Sequence, residues 1–526
     1  MEKSSKMKRI SVHQWLVNLC CVILPVFCGQ AEEQRPNIVI IYADDLGYGD
    51  IQSYNPDRGK ILTPNVDRLA KEGMSFTDAH SSSGVCSPSR YTLLTGRYHW
   101  RTRLQNGIVG RWGPPVIPPE RLTIAGLAKQ VGYNTGCIGK WHLGWNWPIP
   151  KEDDAFFVTG PPGRNIEFKI TEEHRQAWKR VFSQSIPGGP TANGFDSYFG
   201  TDVPNWPPFC FIENDRTMGI PSEYGDPSIF LKNHASVQGP AIEGWTLEPI
   251  LPELGKRVSA FIKQQSRKPA PYLLYMPLTS PHTPLAVNEA WKGKSGLGAY
   301  PDLVMESDAI VGQVLEAIEN SGESENTLVI FTSDNGCAPY IGVEDLESNG
   351  HYPSGPLRGY KSDVWEGGHR VPFIARWPES IQAGSVNDQL VHQADLLATF
   401  ADIFEKPIPD SAGEDSFSIL SLLKGSRDPV RKYAVSCSSK GLPGIRAGDW
   451  KLILGPGSGG WGKGSEDEVI QLYDLKKDLE ETKNLALKQP DTVEYIQAVF
   501  DSIIRNGRST SGQVQANEVA VVRYPK

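Results

Sequence analysis

No apolar run in this 526-residue chain reaches the roughly 20 residues needed to cross a bilayer as a helix, which excludes a multi-span membrane protein and any stable membrane span. Eight cysteines are present but none in C-x-x-C spacing, so neither a zinc ribbon nor a disulfide scaffold is written here. There is no internal repeat and no long low-complexity linker. Basic charge is also in deficit: the formal net charge is −8, and such a chain has no general affinity for nucleic acid. An N-x-S/T sequon is missing throughout, which favours a bacterial periplasmic or secreted setting over a lysosomal one.

What is present begins with "MEKSSKMKRISVHQ" followed by "WLVNLCCVILPVFCGQA", a basic segment, a short apolar segment and small residues at Gly29 and Ala31. That order reads as a signal peptide over residues 1–31 and implies export. Cys28 raises the alternative of a lipoprotein anchor, but bulky Phe27 stands where a small residue is usual. Residues 1–31 hold four basic side chains and one acidic, so their removal moves the net charge from −8 to −11. Five cysteines remain, and at least one of them lacks a partner within the chain.

The mature sequence is ordinary globular material, with 39% hydrophobic and 22% charged residues. Short β-branched runs alternate with helical patterns such as "TPNVDRLAKEG", "LTIAGLAKQVG" and "LVMESDAIVGQVLEAIENSG", which predicts an α/β sheet over residues 32–425. Thr63-Pro64 and Thr123 mark helix starts, and Gly73, Gly132 and Gly322 mark stops. In residues 426–526 the runs "RKYAVSC", "GIRAGDWKLILG" and "IQLYDL" predict antiparallel strands and then a helix near 489–505, a smaller C-terminal subdomain. Residues 145–235 are rich in proline and aromatics and read as shaped surface loops.

Function enters at the ends of the apolar strands. "NIVIIYADDLG" delivers Asp44 and Asp45, "NTGCIGKWHLG" Lys140 and His142, "PYLLYMPLTSPHTP" His282, and "TLVIFTSDNG" Asp334 and Asn335. In open α/β sheets the carboxyl edge is where ligands bind, so four such deliveries predict one site. A single DNG is more often a turn, and a single histidine is more often structural. Asp44, Asp45, Asp334 and Asn335 offer only hard oxygen donors, which suit calcium or magnesium rather than zinc.

"SGVCSPSRYTLLTGR" then places Cys86 at the mouth of a helix that Ser87 is expected to cap and Gly96 to end, with Arg90 one turn inside. This is an address for a nucleophile or an anion. A buried structural cysteine or a thiol nucleophile would leave the hard metal ligands without a reason.

Cys86-Ser87-Pro88-Ser89-Arg90 followed by "YTLLTGR" resembles the type I sulfatase signature, in which the cysteine is oxidised to Cα-formylglycine. "ADDLGYGD", "GKWHLG", "SPHTP", "SDNG" and "GYKSDVWEGGHRVPFIARWP", which carries Lys361, accompany it. The resemblance implies an arylsulfatase-like enzyme with an alkaline-phosphatase-like fold, a large mixed sheet flanked by helices. It further implies a calcium ion, with magnesium as the alternative, held by Asp44, Asp45, Asp334, Asn335 and the modified residue 86. Arg90 and Lys140 would stabilise the aldehyde hydrate; Lys140, His282 and Lys361 would hold the sulfate; His282 would protonate the leaving oxygen; His142 would take the proton that lets sulfate depart. A formylglycine-generating enzyme is the implied maturation partner.

Two other readings stand beside this one. A phosphomonoester or phosphonate hydrolase could use the same scaffold, and a sulfated-glycan binder could carry an unoxidised Cys86. The expected substrate is a sulfated carbohydrate of galactose or N-acetylgalactosamine type. His351, in "SNGHYPSG", the loops Trp145–Pro150 and Trp206–Phe211, and Trp461 in "GPGSGGWGKG" are candidates to line its pocket.

Overall fold

Along the strand Asn37–Ala43 every residue is buried, and alternate side chains enter two different cores: Ile38, Ile40 and Tyr42 one, Val39, Ile41 and Ala43 the other. A near-continuous apolar run of this kind is what a parallel strand covered on both faces requires. Each aliphatic side chain so buried contributes about 1.5–3 kcal/mol to folding. The computed structural model describes residues 35–158, 170–231, 233, 235–465, 467 and 469–523. The stretch read as a signal peptide, with Cys28, lies outside the described residues.

The strand Asn37–Ala43 sits at the centre of a ten-stranded mixed sheet. Thr327–Ser333 and Tyr272–Pro277 flank it in parallel, and Asn134–Lys140 and then Ser197–Thr201 extend the parallel set. Beyond Thr327–Ser333 the direction reverses at Phe373–Arg376. One face is covered by the helices Cys86–Thr95, Ile124–Gln130 and Leu396–Ile403, the other by Pro64–Glu72, Ile250–Gln265 and Ala299–Ser321. The expected capping residues behave as read at Thr123, whose side chain accepts the Gly126 N–H, and at Gly322, which ends its helix in the left-handed conformation.

A second, four-stranded antiparallel sheet follows in the order Tyr433–Cys437, Pro443–Ala447, Trp450–Ile453, Gln471–Asp474, with the helix Pro490–Asn506 packed on it through Ile496, Phe500 and Ile503. Tyr98 and Trp100 complete that core, so the segment that follows the Cys86 helix is packed into the small sheet. Among the described residues no helix is long and apolar enough to cross a membrane.

The region read as surface loops is corrected. Trp145, Trp178, Phe182, Tyr198, Phe209 and Cys210 are all buried, and the stretch holds a helix, Glu172–Phe182, and the fifth parallel strand. Proline and glycine broke the period by which a core segment is recognised, yet the aromatic side chains between them pack inward.

Candidate active site

The carboxyl ends of the parallel strands are tied to one another before any side chain is considered. The Asp334 N–H donates to the Ala43 carbonyl (3.1 Å) and the Asp44 N–H to the Ser280 carbonyl (3.0 Å). Between neighbouring strands, a Cβ at Gly139 would stand 1.8 Å from the Pro277 carbonyl oxygen, so only glycine lets the Lys140 strand come this close. Three non-glycine residues here, Asp45, His142 and Ser362, occupy the left-handed region with φ of 63°, 55° and 84°. Such conformations cost about 1–3 kcal/mol each and persist where the surroundings over-determine them.

Cys86 is the first residue of its helix and is buried at 2% exposure. The expected Ser87 cap is corrected: Val85 occupies the cap position without a side-chain bond, and the Ser87 hydroxyl instead accepts the Val109 N–H at 3.1 Å. Gly96 ends the helix as expected, with φ of 64°. The approach to Cys86 is held from both sides, the Gly84 N–H donating to the Cys437 carbonyl of the small sheet (2.9 Å) and the Ser362 N–H to the Gly84 carbonyl (2.6 Å).

Cys86 Sγ lies 3.2 Å from His142 Nδ1, and His142 Nε2 lies 3.0 Å from the Val109 carbonyl. A carbonyl only accepts, so Nε2 carries the hydrogen and Nδ1 presents its lone pair to residue 86. Burial, reinforced by Lys140, pushes the His142 imidazole down to about 3, so it is neutral over the physiological range. Val109 thereby clamps Ser87 with its N–H and His142 with its carbonyl.

Around this pair the charges are dense. Lys140 Nζ contacts Asp44 at 2.7 Å and Lys361 Nζ contacts Asp45 at 2.6 Å. Arg90 reaches Asp334 at 2.8 Å and Asp44 at 3.3 Å. His282 Nε2 stands 3.6 Å from Asp45, while its Nδ1 bonds the Thr283 carbonyl. Burial lowers His282 to about 4. Burial works against ionisation of Asp44, but Lys140, His282, Arg90 and Lys361 together hold its carboxyl well below the usual range.

The oxygens suit a hard cation. Asp44 Oδ1, with the Arg90 guanidinium at 3.3 Å, and Asn335 Oδ1 are buried and accept no hydrogen bond, which leaves lone pairs open to a further partner. Asp44, Cys86 and Asp334 each place a ligand atom within 4.8 Å of the others, as do Asp44, Asp45 and His282. Burial and the neighbouring Asp44 charge push the Asp334 carboxyl up, a repulsion that a divalent cation between them would remove. Three buried aspartates face three buried cations, so a divalent ion leaves the pocket net positive and suited to an anionic ester.

His351 is corrected as a pocket residue. It is fully buried, its Nδ1 accepts the Lys60 N–H (3.1 Å) and its Nε2 donates to Asp50 (2.9 Å), leaving no ring nitrogen for a ligand. Asp50 also takes the Gly47 N–H at 2.7 Å and the Tyr300 hydroxyl, and Tyr300 in turn contacts the Asp45 carbonyl at 3.3 Å. His351 therefore buttresses the Asp44–Asp45 turn from behind. A residue missed in the sequence is Asp202, which accepts the His142 N–H at 3.2 Å and the Trp145 indole N–H at 3.1 Å. It follows the fifth parallel strand directly, and the strand-end rule applied to "DSYFGTD" would have found it.

A family model described as Sulfatase matches residues 36–406, and one described as N-sulphoglucosamine sulphohydrolase, C-terminal, matches residues 360–506. The chain belongs to the sulfatase family. An N-acetylgalactosamine-6-O-sulfatase of Bacteroides thetaiotaomicron is 32% identical over 487 residues, covering 89% of this chain and 93% of that protein. Human arylsulfatase A is 30% identical over 538 residues, covering 96% of each. A solved B. thetaiotaomicron 6S-sulfatase structure, titled for the metabolism of multiple glycosaminoglycans, superposes with a TM-score of 0.75 at 29% identity, over 89% of this chain and 99% of that one. The sulfatase assignment makes the protein a sulfuric ester hydrolase, and the large mixed sheet with its small antiparallel companion is the alkaline-phosphatase-like fold expected from the sequence.

Proposed function

We propose that this is an exported, calcium-dependent sulfatase in which Cys86 is converted to formylglycine, and that its substrate is a galactose-type or N-acetylgalactosamine-type sugar carrying a 6-O-sulfate. The observation that carries the mechanism is the Cys86–His142 contact, 3.2 Å at an imidazole nitrogen whose tautomer is fixed by Val109, beside buried oxygens that accept no hydrogen bond. The sugar class rests on the names of the relatives, N-acetylgalactosamine-6-O-sulfatase in a bacterium and N-acetylgalactosamine-6-sulfatase in mouse, the latter 30% identical over 440 residues.

Asp44, Asp45, Asp334 and Asn335 would hold the ion, and Cys86, once modified, would add the fifth ligand. Calcium bound there would supply positive charge beside the sulfate oxygens. The modified residue, once its aldehyde has added a water, would supply one hydroxyl as the nucleophile for sulfur and a second whose deprotonation expels sulfate and restores the aldehyde. His142 is built for that deprotonation, because it is neutral and its Nδ1 lone pair faces residue 86. Arg90, fixed on Asp334 and Asp44, holds the residue-86 end of the pocket positive. Lys140 and Lys361 would meet the sulfate oxygens and offset charge as it develops. Lys361 stays protonated, since Asp45, Tyr340, Cys86 and Asp44 together outweigh burial, and its ammonium can donate a proton to the leaving sugar oxygen; His282, neutral with its Nδ1–H on the Thr283 carbonyl, would serve as that acid only after taking up a proton at Nε2.

The test is sulfate release from galactose and N-acetylgalactosamine sulfated singly at each position, with phosphate esters in parallel, before and after chelation. Mass spectrometry of the residue-86 peptide is made on the same preparation. Release from the 6-sulfates, loss on chelation and a mass matching the aldehyde are expected. Faster turnover of phosphate esters would put the phosphohydrolase reading in its place. An unmodified thiol in enzyme that still turns over would remove formylglycine from the mechanism.

A further inference from the structure

Single exposed apolar side chains such as Leu62, Leu487 or Val514 are normal on a protein surface. Tyr340 and Trp461 are different. They are 48% and 51% exposed, their ring centroids lie 5.6 Å apart at 51°, and they come from segments more than a hundred residues apart in sequence.

Both are fastened to the stretch that carries Lys361. The Lys361 N–H donates to the Cys337 carbonyl at 2.8 Å, three residues before Tyr340. From the other side, the Trp461 and Gly462 N–H groups both donate to Asp363 Oδ1, at 3.1 and 2.7 Å, and the Val364 N–H donates to the Ser458 carbonyl at 2.9 Å. A Cβ at Gly460 would stand 2.3 Å from the Ser362 carbonyl oxygen, so the glycine-rich loop is seated against the Lys361 segment and cannot pull Trp461 away. Burial, together with the charge of Asp45, raises the Tyr340 phenol while Lys361 lowers it. Tyr340 is thus within electrostatic reach of Lys361 and Asp45 while the residue stays half exposed.

We propose that Tyr340 and Trp461 form the rim on which the substrate's pyranose ring rests, its C–H face against the aromatic faces, while the sulfate reaches Lys361. Two rigid aromatic surfaces held open at an anion pocket match a ligand that is anionic at one end and a flat, C–H-lined ring at the other. Galactose-type rings gather C–H bonds on one face, which fits this rim. The inference rests on the sugar reading above and adds the residues that select for a ring.

Activity on galactose 6-sulfate is compared with activity on n-propyl sulfate, which presents the same primary sulfate without a ring. For Trp461→Ala the ratio of kcat/KM between the two is expected to fall about tenfold, mainly through the KM of the sugar. Trp461→Phe is expected to restore most of it, and Tyr340→Phe, which keeps the ring, to preserve it. Both side chains are half exposed, so a thermal melt is expected to show each variant folded. A Trp461→Ala ratio within about twofold of wild type, in an enzyme that does cleave galactose 6-sulfate, would overturn the rim alone. A wild-type enzyme that cleaves n-propyl sulfate but not galactose 6-sulfate would overturn the sugar reading and the rim together.

Discussion

Two groups of buried titratable side chains in this molecule resemble each other in content and differ in accounts left open. One is the strand-end group around Asp44, Asp334 and Cys86. The other is His80, Glu366 and His369, where three ligand atoms also fall within 4.8 Å of one another. In the second group every one of those residues is spoken for. His80 bonds Asp78 (2.8 Å) and His369 (3.1 Å), and His369 bonds the Val364 carbonyl (2.9 Å). Glu366 meets Lys451 at 2.9 Å and Arg370 at 3.2 Å. In the first group, Asp44 Oδ1 and Asn335 Oδ1 have no hydrogen bond, and the backbone at Asp45, His142 and Ser362 is strained. Histidines and carboxylates in proximity do not by themselves make a metal centre. Lone pairs left without a hydrogen bond are what the strand-end group adds, and the second cluster, tied to Lys451, Arg370 and Arg446, reads as a joint between the large and small sheets.

This contrast can be broken by mutation, and the largest effect is expected at residue 86. Cys86→Ala should lower kcat by about 10⁴-fold or more, to the assay background, because it removes the residue proposed to become the nucleophile. Its melting temperature should stay close to that of wild type. Glu366→Ala should do the reverse. It leaves fully buried Lys451 with Glu481 alone (2.8 Å) and Arg370 and Arg446 with Asp78 alone, and loss of one partner from a buried ion-pair network costs up to about 3–5 kcal/mol. Urea denaturation measures that loss. The kcat of the protein that remains folded is expected to be little altered; a kcat collapse with stability intact would make the joint part of the active site.

The two groups were not equally legible. The strand-end site could be read because each of its members directly follows an apolar run, and the Cys86 segment carries a signature that few other sequences share. The α/β sheet, the helix ends at Gly96 and Gly322, and the antiparallel C-terminal strands with their final helix were readable for the same reason: local period and capping chemistry decide them. The joint could not be read. Asp78, Glu366 and the hairpin pair Arg446 and Lys451 come from three separate places with no common motif, and only the docking of one sheet on the other brings them together. His351 misled for a related reason. Its glycine- and proline-flanked loop looks exposed, yet the chain folds it under the Asp44–Asp45 turn, where Asp50 and the Lys60 N–H occupy both ring nitrogens. Asp202 was legible in principle but lay in a region whose prolines disguised a core strand.

Metal removal sharpens the comparison at intermediate size. An ion that binds only the folded protein stabilises it by about 2.7 kcal/mol when free metal is a hundredfold above Kd. Chelation should therefore lower the melting temperature of wild type, and calcium should restore it. Asp44→Asn and Asp334→Asn are expected to abolish the calcium-dependent shift, whereas Glu366→Gln keeps it from a lower starting point. A shift lost in Glu366→Gln and kept in Asp44→Asn would move the ion to the joint.

The smallest expected effect concerns pH. His99 is buried at 1% exposure against the Ser82 hydroxyl, and burial pushes its imidazole down to about 3. In the unfolded chain the same ring takes up a proton near the ordinary value of about 6.5. Between those values the unfolded state holds the extra proton, so this contribution is fully present above about pH 6.5 and is lost as pH falls, at up to about 1.4 kcal/mol per pH unit. His80, His369 and His392 are lowered by burial and act in the same direction, while Asp395 and Glu481, raised to about 6 and about 7, act in the opposite one. All five are common to wild type and His99→Gln, so the difference between the two proteins isolates His99. Urea midpoints followed from about pH 7 to pH 5 should fall less steeply for His99→Gln. Parallel curves would mean that the folded protein accommodates the protonated ring, through a rearrangement around Ser82 at the foot of the Cys86 helix.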